Sequence, residues 1–265
     1  MANHGKTETT DITFLGTSSA HPEIGGDTAS FVINRRVLVD TGWHVTDNLR
    51  NLGIDPTSIH HIVFTHFHPD HYLSLPSLFY YILTRTRNLR QLKIIGPESD
   101  LELTVNRTIE FLWQGHKIVT AGRPELIPLG SGDSFEADDF RLDVTDSVHP
   151  VPGLCYRFTD KQTGVLFSFS GDTAYHEPLA DFYRGSQLLI HEATLGPEAG
   201  NPDTNAQLHS GAEDAARIAK LAGVGQLLLV HGTRERAPAC VEAAKRIFGE
   251  AVSWPVKGES VRLSR

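Results

Sequence analysis

The run Thr65-His66-Phe67-His68-Pro69-Asp70-His71 puts four potential metal ligands into six residues, directly after the apolar stretch Ile59 to Phe64. Imidazole and carboxylate are the nitrogen and oxygen donors that divalent first-row metals prefer, and a strand ending in a tight turn can aim alternate side chains at one point. The alternative is a polar turn that is rich in histidine by chance. What separates the two is whether the rest of the chain supplies further donors. Two ions that each keep a position open for water or substrate need six or seven. Asp172 and His231 each stand at the end of an apolar run. For the remaining histidine, residue type alone leaves His149, His116, His176, His191 and His209 as competitors.

Positioning such donors requires strands that end side by side. Ile12 to Leu15 reads as a strand followed by the small-residue loop Gly16 to Pro22, which can approach a ligand closely. Ala29 to Ile33 and Val37 to Val39 form a hairpin turning at Asn34-Arg35-Arg36, and the second strand runs into Asp40-Thr41-Gly42. A short helix from Trp43 to Leu52 leads to the β-branched strand Ile59 to Phe64, so the ligand cluster lies at that strand's end. Leu75 to Leu83 suits a helix with proline in its first turn, Leu92 to Ile95 a strand, and Pro97-Glu98 opens a helix to about Trp113. Phe135 to Val144 holds further strand, turning at Asp138-Asp139.

The second half follows the same grammar. Strands at Leu154 to Phe158 and Val165 to Ser168 precede Gly171-Asp172-Thr173, and Leu188 to Ile190 precedes His191-Glu192-Ala193-Thr194. The segment Leu195 to Leu208, rich in Gly, Pro and Asn, suits a mobile flap. Ser210 with Glu213 reads as a capping box for a helix ending at Gly223, and Leu227 to Val230 is a buried strand with His231 at its end. His66, His68, Asp70, His71, Asp172, His191 and His231 are thus all expected beyond strand ends, where sites assemble in α/β architectures.

Composition bounds the rest. With 265 residues, 40% of them apolar, the chain can bury a sizeable core, and no repeat or linker divides it. A flexible tail over 1–10 and one domain over 11–265 are expected. There is no signal-like segment and no run long enough to span a bilayer, so the expected location is the cytoplasm, without membrane contact. Two cysteines, Cys155 and Cys240, are too few for a disulfide framework and fit a reducing compartment. The net charge of −8 disfavours a long nucleic acid as partner. Arg85, Arg87, Arg90 and Lys93 form one basic cluster, read as a solvated helix end rather than a phosphate contact. A homodimer is a common arrangement for small enzymes.

The run His66-Phe67-His68-Pro69-Asp70-His71, with Asp40-Thr41-Gly42 before it and His149, Gly171-Asp172-Thr173 and His231 after it, resembles the metallo-β-lactamase-fold hydrolase superfamily over nearly the whole chain. The resemblance implies an α/β four-layer αβ/βα sandwich with the site at one edge of the paired sheets. It implies two divalent metal ions, zinc by family default, with Mn, Fe or Ni equally compatible with the donors. His66, His68 and His149 would hold one ion, Asp70, His71 and His231 the other, and Asp172 would bridge them. Asp40 would be a buried support for the ligand loop.

A narrower resemblance links His191-Glu192-Ala193-Thr194, His209-Ser210 and Val230-His231 to the ribonuclease Z and related phosphodiesterase branch. It implies catalytic roles for His209, which protonates the leaving oxygen, and for Glu192, which orients His209; in the two-metal mechanism expected here Asp70 is a third catalytic residue, orienting the hydroxide between the ions. The bland alternative for Glu192 and His209 is plain loop and helix-end hydrogen bonding. The branch carries a long tRNA-gripping arm between the residues matching His149 and Asp172, an interval of only 22 residues here. The expected activity is therefore a metal-dependent phosphodiesterase acting on a small nucleotide or cyclic phosphate rather than tRNA 3′-processing. Lactones, thioesters and β-lactams are alternative substrates, and a redox or binding metal protein is the non-enzyme alternative.

Overall fold

The computed structural model describes residues 9–112 and 122–265. In chain order the first half runs β1 (Thr10–Gly16), β2 (Ser30–Ile33), β3 (Val37–Val39), α1 (Val45–Asn51), β4 (His61–Val63), α2 (Pro69–Tyr72), α3 (Leu75–Thr86), β5 (Lys93–Pro97), α4 (Leu101–Leu112) and β6 (Glu125–Leu129). The second half runs β7 (Ser134–Glu136), β8 (Phe140–Asp146), β9 (Leu154–Asp160), β10 (Leu166–Phe169), α5 (Leu179–Tyr183), β11 (Leu188–Glu192), α6 (Ala212–Ala222), β12 (Gln226–Val230), α7 (Ala237–Phe248) and β13 (Val252–Ser253), and β14 (Ser260–Leu263) follows.

These strands make two mixed sheets of seven, ordered β14-β1-β2-β3-β4-β5-β6 and β13-β12-β11-β10-β9-β8-β7. In each, an antiparallel part adjoins a parallel part: β3 to β6 in the first, β10 to β13 in the second. The sheets face one another across a core in which Phe14, Phe31 and Ile95 of one meet Phe158, Phe167 and Phe169 of the other. A second core seals α1, α3 and α4 onto the outer face of the first sheet, and a third seals α5, α6 and α7 onto the second. The result is the expected αβ/βα sandwich. Strands covered on both faces explain the continuous apolar runs such as Leu227 to Val230.

Sheet geometry sets where the site lies. Leu154 donates its N–H to the Thr65 carbonyl at 2.8 Å and His66 bridges Gly153, which fastens the end of β4 to the start of β9. The His231 N–H donates to the Thr17 carbonyl at 2.7 Å, joining the end of β12 to the loop after β1. The carboxyl ends of β3, β4, β10, β11 and β12 therefore gather at one edge. Among the described residues no helix is long and apolar enough to cross a membrane.

Several local expectations shift. The helix read from Pro97-Glu98 begins at Leu101 instead, because Pro97 still belongs to β5, opposite Leu129 on β6. Its expected end at Trp113, like His116 and residues 1–8 of the tail, lies outside the described residues. Thr10, assigned to the tail, already pairs with Leu263. The cap of α6 is Gly211, whose N–H donates to Asp214 at 3.1 Å, while Ser210 turns its hydroxyl to the Thr173 carbonyl at 2.6 Å. Lys93 opens β5 and pairs with Glu125 at 3.4 Å, and Arg85 lies over the Tyr81 ring at 5.3 Å. Two residues of the basic cluster thus have local partners, and Lys93 sits at the opposite end of the parallel strands from the ligand run.

Tyr156 is fully buried between the sheets and donates its hydroxyl to the Phe64 carbonyl at 2.7 Å, just before the ligand run. Tyr156→Phe is expected to cost about 1 kcal/mol by leaving that carbonyl unsatisfied, and Phe167→Ala about 3–5 kcal/mol through the cavity it opens. Urea unfolding midpoints check both values.

Candidate metal centre

Each donor has its own structural origin. His66 and His68 alternate along the extended chain leaving β4, whereas Asp70 and His71 fall in α2, which Pro69 opens. His149 comes from the loop between β8 and β9, Asp172 from the turn after β10, and His231 from the end of β12. Gly171 has φ +58° and packs so close to Thr65 that a Cβ would come within 2.8 Å of the threonine Cβ. Only glycine lets the Asp172 turn reach the ligand run. Asp40 and His231 also adopt left-handed backbone, φ 51° and 60°, uncommon for non-glycine residues and clustered here at the site.

The donor atoms converge. His66, His68, His149 and Asp172 form one group and Asp70, His71 and His231 another, with ligand atoms within 4.8 Å of each other in each group. Asp172 Oδ2 lies 3.7 Å from His66 Nε2, 3.5 Å from His71 Nε2 and 3.4 Å from His231 Nε2, so it stands between the two groups. His149 Nε2 is 3.0 Å from His68 Nδ1, and His71 Nε2 is 3.2 Å from His231 Nε2. His66 Nε2 is buried with no hydrogen-bond partner among the described residues. An orphaned ring nitrogen and nitrogens facing nitrogens are unfavourable for a protein alone and suited to cations. The donor set fits two divalent ions.

The far side of each ring is held as well. Asp40 accepts from His71 Nδ1 at 2.8 Å, from the Thr65 hydroxyl at 2.8 Å and from the Thr65 N–H at 2.9 Å. Since the Thr65 hydroxyl gives its proton to Asp40, its oxygen accepts from His66 Nδ1 at 3.1 Å. His149 Nδ1 faces the Leu208 carbonyl at 3.3 Å. At His66 and His149 these bonds put the proton on Nδ1 and leave Nε2 as the lone pair facing the centre, and at His71 the Asp40 bond holds Nδ1–H so that Nε2 is the nitrogen turned to the centre, the usual device for orienting imidazole ligands.

Burial holds His66, His68 and His149 below their ordinary pKa, so these three are neutral and ready to ligate. Burial also opposes charge on His71, but the Asp172 and Asp40 carboxylates outweigh it and raise the ring well above its ordinary value. For Asp70 burial works upward, yet the His231 and His71 rings beside it bring it down to about 2. Asp172, fully buried, is likewise held well below the usual carboxylate range against burial by His231, His71 and His66.

Beside this centre His209 Nδ1 donates to Glu192 Oε1 at 2.8 Å and lies 3.9 Å from Asp172 Oδ2. Burial works against charge on His209, and the Glu192 bond more than offsets it, so its pKa is raised. Glu192 also accepts from the Thr173 N–H at 2.8 Å. Asn205 grips the His209 backbone at both ends, donating to its carbonyl at 2.7 Å and accepting from its N–H at 3.1 Å. The flap segment is therefore tied to the site, and Leu208, φ 54°, carries the carbonyl that meets His149.

Of the competitors, His209 forms a third potential group with Asp172 and His231, His116 lies outside the described residues, and His191 and His176 fall away on geometry. His191 lies inside β11 rather than beyond it; since successive strand residues face opposite ways, Glu192 faces the centre and His191 faces away, its Nδ1 2.9 Å from the Glu192 carbonyl. His176 is exposed and joins neither donor group. Sequence reasoning missed Asp27, buried in the loop after β1, which accepts from the Thr28, Trp43 and His44 N–H groups and from Asn48, fixing the approach to Asp40. It also missed Thr194 as a partner of His231. A lone carboxylate in a glycine-rich loop gave no signal of so many partners.

The family model of the beta-lactamase superfamily domain matches residues 35–232. A ribonuclease Z of Methanothermobacter thermautotrophicus is 29% identical over 296 aligned positions that take in 90% of this chain and 92% of that protein. An alignment longer than the 265-residue chain means that the relative carries insertions this chain lacks. The metallo-beta-lactamase fold protein YhfI from Bacillus subtilis has the same fold, with a TM-score of 0.81, 21% identity and coverage of 97% of this chain and 100% of that one. Human tRNase Z, short form, gives 0.73 at 23% identity, covering 95% and 98%.

Two outcomes follow from the donor geometry. Asp40→Asn keeps the size of the side chain but removes the charged acceptor of His71, and is expected to weaken metal binding about 10–100-fold in chelator competition. Because the Asp172 and Asp40 carboxylates favour the charged, doubly protonated form of His71 in the metal-free chain while burial keeps His66, His68 and His149 neutral, metal uptake should release protons from the His71 side. Affinity there should fall as pH drops below the raised His71 value, and calorimetry in buffers of different ionisation enthalpy counts the protons.

Proposed function

The chain belongs to the beta-lactamase superfamily and is a metal-dependent hydrolase; from that premise we propose that it cleaves phosphodiesters of small nucleotides or cyclic phosphates. His66, His68 and His149 would hold one divalent ion and Asp70, His71 and His231 the second, with Asp172 shared. Bound there, the ions would lower the pKa of water and draw charge from a phosphoryl oxygen. Zinc suits the nitrogen-rich donor set, with Mn, Fe and Ni compatible alternatives.

The observation that carries the reading is the His209–Glu192 pair, 2.8 Å apart beside Asp172. A departing alkoxide is a poor leaving group and needs a proton as the P–O bond breaks. His209 Nδ1–H is committed to Glu192, so the proton available for transfer sits on Nε2, and the Glu192 carboxylate raises the ring's pKa against burial and so favours its presence there. Asp70, ionised and 3.3 Å from His231 Nε2, supplies an acceptor that orients the attacking water.

Small substrates are favoured over tRNA by what fills the interval between His149 and Asp172. It holds only β9, a turn at 161–164 and β10, whose strands are core elements of the second sheet. No arm extends from it to grip a distant part of an RNA. The relatives' name points to RNA, and the shared site accounts for that likeness without the arm.

A panel of bis(p-nitrophenyl) phosphate, cyclic nucleotides, precursor tRNA, lactones and β-lactams, assayed with Zn and with Mn, tests the reading. Small phosphodiesters should turn over fastest; faster cleavage of lactones, with phosphodiester cleavage untouched by His209→Ala, would sink it. His209→Ala should lower kcat about 10²–10⁴-fold for alkoxide leaving groups and far less for nitrophenolate, which departs without a proton. Activity should decline as pH rises through the raised His209 value, and Glu192→Gln should move that alkaline limb to lower pH. His68→Ala or Asp172→Asn should abolish turnover of every substrate.

A further inference from the structure

Three of the four histidines whose Nε2 faces the centre have their Nδ1 partner explained above; the fourth, His231, is backed by Thr194. Thr194 Oγ1 lies 2.8 Å from His231 Nδ1, 2.9 Å from the His231 carbonyl and 2.5 Å from Glu192 Oε2. The Glu192 carboxylate and the His231 carbonyl can only accept, and the single hydroxyl proton of Thr194 goes to the shorter, charged contact with Glu192; to whichever of the two it is given, the Thr194 oxygen is left to accept from His231 Nδ1–H. Thr194 is 37 residues from His231, so the contact is a tertiary one and not part of a local turn. The same wiring recurs across the site. Asp40 holds His71 directly and His66 through the Thr65 hydroxyl; Glu192 holds His209 directly and His231 through the Thr194 hydroxyl.

We infer that Thr194 is a positioning residue that fixes His231 as the Nδ1–H tautomer, so that one carboxylate, Glu192, orients both the proton donor and a ligand of the second ion. The inference rests on the reading of His231 as a metal ligand. Without the hydroxyl, His231 loses the acceptor for its Nδ1–H, and its Nε2 can take the proton and donate to Asp70, 3.3 Å away. Ligation by His231 would then have to expel that proton and rotate the ring back into place. The left-handed backbone at His231, φ 60°, is pinned by its own N–H on Thr17 while the ring is held by Thr194, so ring and backbone are registered together.

The test compares the native chain with Thr194→Val, which removes the hydroxyl at similar volume, and Thr194→Ser, which keeps it. Stepwise zinc affinities come from competition with a chromophoric chelator, and the His231 tautomer comes from ¹⁵N shifts of the metal-free protein. We expect Thr194→Val to weaken one of the two zinc steps by about 10–100-fold while leaving the other, and Thr194→Ser to behave like the native chain. Native His231 should show protonated Nδ1, and Thr194→Val should shift it toward protonated Nε2. Should the valine variant not fold, Thr194→Ala takes its place with the same expectations. Unchanged zinc steps in the hydroxyl-free variant, or native His231 protonated on Nε2, overturn the role of Thr194. A native chain that binds only one zinc overturns the two-ion reading instead.

Discussion

Asp172 is the constraint on which the rest of the molecule depends. A fully buried carboxylate costs several kcal/mol unless it is paired, and this one is met by His66, His71 and His231 within 3.7 Å and by His209 at 3.9 Å. Four rings can reach one buried oxygen only if the loops that carry them end at the same place. The sandwich provides this: two sheets pack face to face, and the carboxyl ends of strands from both lie along one edge. The apolar core between the sheets, with its stacked and tilted aromatic rings from Phe14 to Phe169, is what keeps those ends in register.

Crowding donors in this way leaves ring nitrogens facing each other, and the chain manages the outer sides of the rings with two buried carboxylates. Asp40 and Glu192 each bind one histidine directly and another through a threonine. They stand on different sheets, Asp40 after β3 and Glu192 at the end of β11, so the site is braced from both halves of the fold. The strained backbone at Asp40 and His231 is tolerated because each is fixed by several hydrogen bonds, which turns local cost into fixed geometry.

The same arrangement separates the chemistry by region. The ligand groups sit in the seam between the sheets, while His209 arrives from the segment that precedes α6 and is held by Asn205 and Glu192. That segment also supplies the Leu208 carbonyl to His149, so it touches both His209 and one of the converging donors. Between His149 and Asp172 the chain forms only the compact β9–β10 hairpin, which belongs to the second sheet.

Much of this was legible in the sequence. The ligand run, Asp172, His231 and the apolar strands before them follow from donor chemistry and local periodicity, because both are written in adjacent residues. The resemblance added His149, Asp40, Glu192 and His209. What the sequence could not supply were relations across the chain: that His191 points away while Glu192 points in, that Gly211 and not Ser210 caps α6, that Asp27 gathers the approach to Asp40, and that Thr194 stands behind His231. Side-chain facing and long-range pairing depend on strand register and on how the two sheets meet. By itself the sequence determined which residues can ligate and which stretches can form strands; only the tertiary structure decided which donors share a centre, because packing the sheets together is what fixes their distances.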